Sequence, residues 1–448
     1  MDQSLDRNFY AEHLVEVNKL NPVITTQNLC NSLGAMVIPK GTYVTQDVAD
    51  KIAKFDLSYP IELQVNLETA LSPNQIFSDI LLTRKNFLGN NKHPTATKEL
   101  VRLCGFLQSH PLITQKLTVF SQQMPERYGD TQSATGFAVL IGLHLGLSEE
   151  SLEVIFTAAQ MHDTGLLNID PELVTNIDKI NLNDKQALYL QQITSGKLFL
   201  DNVPTLSNKV SQAVYMHHER KDGSGWPEGI IGDKSSIESQ VVGIGVMLHE
   251  IYSKKLKPRG YGTRQLLPLL QMEAEGLDQT IFNSALEILR QGALGNAQVM
   301  PAEFMPNLSK YLLSFRSQLI NWFMLAKEFC AEINNIKPTL ESQRSLAIIS
   351  GLEELNRNSG IWENNIQAWL KDTILNGSQD DYTDIEIVGL MLEAAHSKLQ
   401  CLQWTMHESA IKIDQEWARK CNNLEAMLNK LPDDYFTDFE SYLESHSA

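Results

Sequence analysis

The sequence predicts a mainly α-helical protein with a small α+β module at its N-terminal end and an added helical region at its C-terminal end. Most of the chain spaces its apolar residues three and four positions apart, as the buried face of a helix requires. Short β-like runs separated by turn residues are concentrated in residues 20–70. With 448 residues, 43% of them apolar, the chain is long enough for two to four domains with buried cores.

Four regions are predicted along the chain. They are a small α+β module over residues 1–70, connecting helices over 71–124, a motif-bearing helical domain over 125–300 and a helical C-terminal region over 301–448. In the first region, residues 35–44 read as a hairpin that turns at Pro39-Lys40-Gly41, and Thr45 then caps a short amphipathic helix.

The C-terminal region contains a long apolar seam. Its members are spaced by three and four residues: Ile385, Val388, Leu392, Ala395, Leu399, Leu402 and Met406. A helix packed in a bundle of the same chain is the favoured interpretation, and an intermolecular coiled coil is the alternative. The acidic and aromatic tail, residues 433–440, reads as a frayed C-terminal helix or, less readily, as a docking peptide.

Charge and cysteine usage restrict the class of protein. A net charge of −17 argues against binding a nucleic acid polymer, which requires basic surface. Five scattered cysteines without a Cys-x-x-Cys pair indicate reduced thiols. Residues 1–7 are polar with no apolar signal core behind them, and the apolar run 134–147 is too short to span a bilayer comfortably. We therefore expect a cytoplasmic protein that does not enter the membrane.

Two pairs of adjacent residues stand out, one His-Asp and the other His-His. His162-Asp163 follows one apolar helical stretch, and His217-His218 precedes a glycine-rich turn that ends in Trp226-Pro227. Imidazole and carboxylate are donors that suit iron, manganese or zinc. A carboxylate beside a histidine can bridge two ions, and a bridged hydroxide attacks a phosphodiester well. The alternative is that these are packed core histidines and that the glycines only permit a tight turn.

These residues resemble the HD-GYP family, the branch of the HD phosphohydrolases associated with hydrolysis of cyclic di-GMP. The family's His-Asp-x-Gly-Lys appears as His-Asp-Thr-Gly-Leu at residues 162–166. Its His-His-Glu-x-x-Asp-Gly-x-Gly-Tyr-Pro appears as His-His-Glu-Arg-Lys-Asp-Gly-Ser-Gly-Trp-Pro at residues 217–227. The similarity covers about residues 125–290 and implies an HD-type helical bundle.

The resemblance also implies roles for individual residues. The implied metal ligands are Asp130, His162, Asp163, His217, His218 and Glu250. If the site is active, the catalytic residues are Asp163, His217 and His218. The residues implied in ligand binding are Arg220, Asp222, Gly225, Trp226 and Pro227, with a salt bridge an equal alternative for Arg220.

The sequence departs from the family at several of these positions. Asp130 stands where the family has its first ligand histidine, and Gln192 where it has a mid-domain ligand histidine. Leu166 replaces the lysine expected to hold a substrate phosphate. Glu250 replaces the closing aspartate, although another gap placement puts Leu248 there. The remaining shell is rich in carboxylates and favours one manganese, iron or magnesium ion rather than two, or no ion at all.

The sequence therefore predicts a degenerate HD-GYP-like protein, non-catalytic or weakly active, that serves as a signalling or scaffold module in bacterial cyclic-dinucleotide pathways. Its expected partners are a cyclic dinucleotide and a protein, or a second copy bound through the C-terminal helices. The alternative is a metal-dependent cyclic di-GMP phosphodiesterase with an altered, carboxylate-rich metal shell. His249, next to Glu250, is expected to point elsewhere on its helix and to pack in the core.

Overall fold

The computed structural model describes residues 9–55, 57–88, 94–176, 182–292, 295 and 298–446. Residues 1–7, on which the expectation of no N-terminal targeting segment rests, lie outside this part of the chain. The chain folds as two compact units, one formed by residues 1–217 and 236–250 and the other by residues 218–235 and 251–448. The division into four regions stays a prediction.

The first unit is built mainly from helices. Their bounds are α1 Tyr10–Asn18, α2 Gln46–Ile52, α3 Pro73–Leu88, α4 Pro94–Phe106, α5 Pro111–Gln123, α6 Pro125–His144, α7 Glu149–Met161, α8 Pro171–Thr175, α9 Leu182–Asp201, α10 Asn208–Met216 and α11 Ile237–Glu250. Short 3₁₀ helices are formed by Ile61–Leu63, Leu107–Ser109 and Thr164–Asn168.

Two small antiparallel sheets complete the first unit. Strand β1 (Val23–Thr25) pairs with β4 (Val65–Leu67), and β2 (Leu29–Cys30) pairs with β3 (Met36–Ile38). The predicted hairpin over residues 35–44 is wrong, because β3 pairs with the preceding β2. The turn at residues 39–41 is instead held by Thr25, whose hydroxyl donates to Pro39 O (2.8 Å) and whose carbonyl accepts from Gly41 N (2.8 Å).

Helix α6 lies at the centre of the first unit. Helices α3, α7 and α11 pack around it, and residues 131–142 are buried on every side. Contact with α11 is close because α11 has glycine at the crossing: a Cβ on Gly245 would come 2.8 Å from the Ala134 carbonyl oxygen. Phe120 and Tyr128 from the helices join the core of the small sheets. The α+β module therefore shares a core with α5 and α6.

The second unit is also helical. Its helices are α12 Leu266–Met272, α13 Gln279–Gly292, α14 Met305–Ile336, α15 Leu340–Ser359, α16 Asn364–Asn376, α17 Gln379–Ile411, α18 Gln415–Leu428 and α19 Tyr435–His446. A π-helix, Ile251–Leu256, and the 3₁₀ helices Lys257–Arg259, Thr263–Gln265, Ala274–Gly276 and Ala302–Phe304 connect them. The prediction of a mainly α-helical protein is confirmed.

The apolar seam of α17 packs within its own chain. Every predicted member is buried, from Ile385 to Met406, and α17 lies against α14, α15 and α18. The bundle interpretation of this seam is thus confirmed. The tail forms α19, but this helix is docked rather than frayed, since Tyr435 and Phe439 are fully buried.

No helix within the described ranges combines the length and the apolar character that crossing a bilayer requires.

Candidate functional site

His162 and Asp163 lie where α7 ends. His162 is the C-cap of α7 and is buried, and Asp163 precedes the 3₁₀ helix Thr164–Asn168. The Nδ1–H group of His162 donates to the Ala159 carbonyl oxygen at 2.8 Å. This bond leaves Nε2 as the acceptor nitrogen of the ring. His162 Nε2 lies 3.7 Å from Asp163 Oδ2. An imidazole oriented through its second nitrogen in this way is typical of metal-binding histidines.

His217 repeats the same local arrangement at the end of α10. Its Nδ1–H group donates to the Val214 carbonyl oxygen at 2.6 Å. The imidazole rings of His162 and His217 meet edge to face, with centroids 5.4 Å apart and an interplanar angle of 78°. The fold therefore brings His162 and His217 into contact.

Gln192 reaches this pair from α9. Its amide nitrogen donates to Asp163 Oδ1 (2.8 Å) and to the His162 carbonyl oxygen (2.9 Å). The close approach depends on Gly165, since a Cβ there would overlap the Gln192 backbone carbonyl. An amide donor thus occupies one oxygen of the carboxylate expected to bridge metal ions.

Asp130 is hydrogen-bonded by a residue that the sequence interpretation set aside. His249 Nε2 lies 2.8 Å from Asp130 Oδ1, and the His249 side chain is buried. The expectation that His249 packs in the core is confirmed, but the expectation that it points away from the predicted ligands is wrong, because its ring contacts Asp130. A sequence signal was present: Gly245, one helical turn earlier, marks the face of α11 that packs on α6. Glu250 ends α11 and is half-buried.

Within the described ranges, no group of three or more His, Cys, Asp or Glu side chains has the arrangement of a metal centre. The predicted ligand set of Asp130, His162, Asp163, His217, His218 and Glu250 stays a prediction.

Leu166, at the position of the family's lysine, is almost fully buried. It packs with Ile169 and Leu188 in a small apolar cluster. The side chain present at this position therefore contributes to core packing and offers no charge to a phosphate.

The segment from His218 to Ser235 belongs to the second unit. The His218 ring stacks on Trp226, with centroids 4.1 Å apart and planes 19° from parallel. The Trp226–Pro227 peptide bond is cis. Arg220 Nη1 donates to the Glu219 carbonyl oxygen (2.8 Å).

The loop is organised by two acidic side chains. The buried Glu219 carboxylate accepts backbone N–H bonds from Glu228 (2.6 Å), Gly229 (3.1 Å) and Ile230 (3.0 Å). Asp222 Oδ1 accepts from both the backbone nitrogen (2.9 Å) and the hydroxyl (2.6 Å) of Ser224. A carboxylate with several donors fixes the backbone around it.

A residue far along the chain clamps the same loop, and no motif in the sequence indicates it. The buried Arg344 of α15 donates through Nε to Gly223 O at 2.5 Å and through Nη2 to Gly225 O. Its guanidinium lies 5.3 Å from the Trp404 ring centroid. Gly229, at φ +60°, leaves room for the guanidinium, with which any Cβ would overlap. We call residues 218–230 with Arg344 the clamped loop.

Comparisons with known proteins agree with the sequence motifs. Residues 115–281 match the model of the HD domain family. The cyclic di-GMP phosphodiesterase response regulator RpfG of Xanthomonas campestris pv. campestris is 27% identical over 124 residues, which are 28% of this chain and 32% of that protein. The 3′3′-cGAMP-specific phosphodiesterase 1 of Vibrio cholerae is 23% identical over 141 residues, 31% of this chain and 32% of that protein.

The chain spans about a third of the length of these curated relatives. A solved HDG"Y"P protein from Bdellovibrio bacteriovorus is 11% identical, with a TM-score of 0.33, over 64% of this chain and 96% of its own.

Proposed function

We propose that the chain, whose residues 115–281 match the HD domain family, acts as a signalling module in cyclic-dinucleotide pathways, with a hydrolytic centre that is inactive or weakly active. The observation that most directly supports a weak or inactive centre is the hydrogen bond from the Gln192 amide to Asp163. A neutral amide there replaces a family ligand, and its N–H group occupies the oxygen that would otherwise bind a second ion.

The described residues form no ready-made metal centre, and the donors that remain favour one ion over two. His162, Asp163 and His217 would hold a single manganese, iron or magnesium ion, which would supply Lewis acidity towards a bound phosphate. The second position does not fit, because Gln192 donates a hydrogen bond where a ligand must donate an electron pair.

Two further contacts support weak hydrolysis. The Asp130 carboxylate lies within hydrogen-bond distance of His249 Nε2, so it already has a protein partner. Leu166 cannot stabilise negative charge on phosphorus oxygens, and loss of one such group typically lowers a rate by about 100-fold or more.

Cyclic di-GMP is the proposed ligand because several relatives are named as its phosphodiesterases. The clamped loop would contribute to binding it through Arg220, Asp222, Gly225, Trp226 and Pro227. The second proposed partner is a protein. If the C-terminal helices mediate self-association, they would do so through faces other than the buried α17 seam.

The alternative, a metal-dependent phosphodiesterase with Asp130 and Glu250 in its metal shell, is favoured by the orientation of His162 and His217. Both rings are tethered through Nδ1, as ligand histidines usually are.

A turnover assay paired with a binding titration separates the two functions. Purified full chain is incubated with cyclic di-GMP and excess Mn²⁺ or Fe²⁺, and the products are separated by chromatography. We expect binding, together with a rate no higher than that of the His162→Ala/Asp163→Ala variant. Turnover that this double variant abolishes would establish the phosphodiesterase instead, and absence of binding would remove cyclic di-GMP as the ligand.

A further inference from the structure

A buried polar network joins three segments of the first unit. Lys116 of α5 places its ammonium nitrogen 3.3 Å from Oε1 of Glu62, in the 3₁₀ helix Ile61–Leu63, and 3.4 Å from Oδ1 of Asn168. Asn168 Nδ2 donates to the same Glu62 Oε1 at 2.7 Å. All three side chains are buried. Each member of the network therefore contacts the other two out of reach of solvent.

The network grips the segment that follows Asp163. Asn168 is the last residue of the 3₁₀ helix Thr164–Asn168, which begins directly after Asp163. Within this helix, Leu166 N donates to the Asp163 carbonyl oxygen (3.0 Å). A 3₁₀ helix of five residues has fewer than two turns, so its two ends move together. A displacement of Asn168 is therefore passed on to Asp163.

The same lysine also contacts the helix that carries Gln192. Its ammonium nitrogen lies 4.4 Å from the ring centroid of Phe199 in α9. Phe199 and Gln192 are two helical turns apart and lie on one face of α9. Gln192 donates to Asp163 Oδ1 at 2.8 Å. The network thus holds both segments that make this hydrogen bond, one through Asn168 and the other through Phe199.

Stability alone explains the buried ion pair poorly. Burial lowers the pKa of Lys116, and the charge of Glu62 opposes that shift. Replacing a buried ion pair by apolar residues of similar volume is often neutral or stabilising. The best attested use of such groups is to select one arrangement of the segments around them. The arrangement that this pair selects is the one that brings Asp163 to Gln192.

From these contacts we propose that Glu62 and Lys116 are positioning residues for Asp163. They act through Asn168 and Phe199 and fix the place of the HD-motif carboxylate relative to Gln192. The consequence for the centre rests on the proposed function, in which Asp163 is its carboxylate. The positions of the side chains are measured without metal or turnover, so a failure here is distinct from a failure of the proposed function.

NMR spectroscopy of the metal-free full chain, labelled with ¹⁵N in glutamine and leucine, tests the proposal. The side-chain amide of Gln192 reports on Asp163 Oδ1, and the backbone amide of Leu166 reports on the Asp163 carbonyl. In Glu62→Gln we expect the Gln192 side-chain signals to shift. We also expect the Leu166 amide to exchange hydrogen at least about tenfold faster, the effect of losing one hydrogen bond to a charged group. If Glu62→Gln does not fold, Asn168→Ala, which keeps the ion pair, should give the same two changes.

A rescue and a control separate positioning from stability. Glu62→Gln/Asn168→Asp exchanges the places of the carboxylate and the amide beside Lys116, and it should restore both the Gln192 signals and the slow Leu166 exchange. Leu29→Ala removes a buried leucine from the core of the small sheets but no member of the network, and it should leave the Gln192 signals in place. Unchanged Gln192 signals in Glu62→Gln, an equal shift in Leu29→Ala, or a double variant without rescue would overturn the proposal.

Discussion

At the scale of single residues, three side chains define the chemistry of the HD motif region. Gln192 donates to Asp163, His249 pairs with Asp130, and Leu166 is packed among apolar neighbours. Each replaces or engages a group that an active dinuclear centre would use. His162 and His217 each donate through Nδ1 to a backbone carbonyl oxygen. These contacts together are the basis of the proposal that the centre is inactive or weakly active.

The Lys116–Glu62 pair allows a stability prediction at this scale. Glu62→Gln leaves a buried ammonium without its counter-charge and should lower the free energy of unfolding of the first unit by about 3–5 kcal/mol. Urea denaturation measures the change. Glu16→Gln removes the partner of the exposed Lys19 and is the matched control, with an expected change below about 1 kcal/mol. Equal changes in the free energy of unfolding for the two substitutions would contradict the prediction that Lys116 is buried as a charged group beside Glu62.

The same variant has a predicted pH dependence. Burial lowers the pKa of Lys116 below its ordinary value of 10.5, and removing Glu62 lowers it further. Between the folded and unfolded pKa values the unfolded chain binds more protons, so stability rises with pH there. The loss of stability caused by Glu62→Gln should therefore become smaller as the pH is raised towards the pKa of Lys116 in the unfolded chain. A constant difference across this range would argue against a charged Lys116 in the fold.

At the scale of elements, the clamped loop depends on the long-range contact with α15. The guanidinium of Arg344 donates to two carbonyl oxygens, those of Gly223 and Gly225. Lysine cannot reproduce this planar, two-pronged geometry. The loop conformation is thus fixed both by its own Glu219 and by a helix more than a hundred residues away.

Arg344→Lys should loosen the loop. We expect backbone amides of residues 221–230 to exchange hydrogen at least about tenfold faster, since the loss of one buried hydrogen bond to a charged group has about that effect on local opening. Hydrogen exchange with mass spectrometry measures this. Arg357→Lys changes an exposed arginine of the same helix and should leave the loop unaffected. Unchanged exchange in Arg344→Lys would show that Glu219 alone determines the loop.

At the scale of the whole molecule, helical periodicity predicted the fold class and the buried α17 seam correctly. The short strands were less predictable, since β3 pairs with the preceding β2 and the turn at residues 39–41 is held by Thr25, which lies outside the predicted hairpin. Adjacent sequence motifs indicated His162, Asp163 and His217. Arg344, His249 and Lys116 could not be found in that way, because their roles arise from contacts between segments far apart in the chain.

In the proposed function Gln192 removes the second metal position, and metal stoichiometry tests this most directly. The full chain is loaded with excess Mn²⁺, separated from free metal and analysed for its metal content. We predict no more than about one ion per chain for the unmodified protein, and an increase of up to about one ion for Gln192→His. Gln191→His, the same change one position earlier, is the control and should not add metal. Two tightly bound ions per unmodified chain would show that Gln192 does not remove the second metal position.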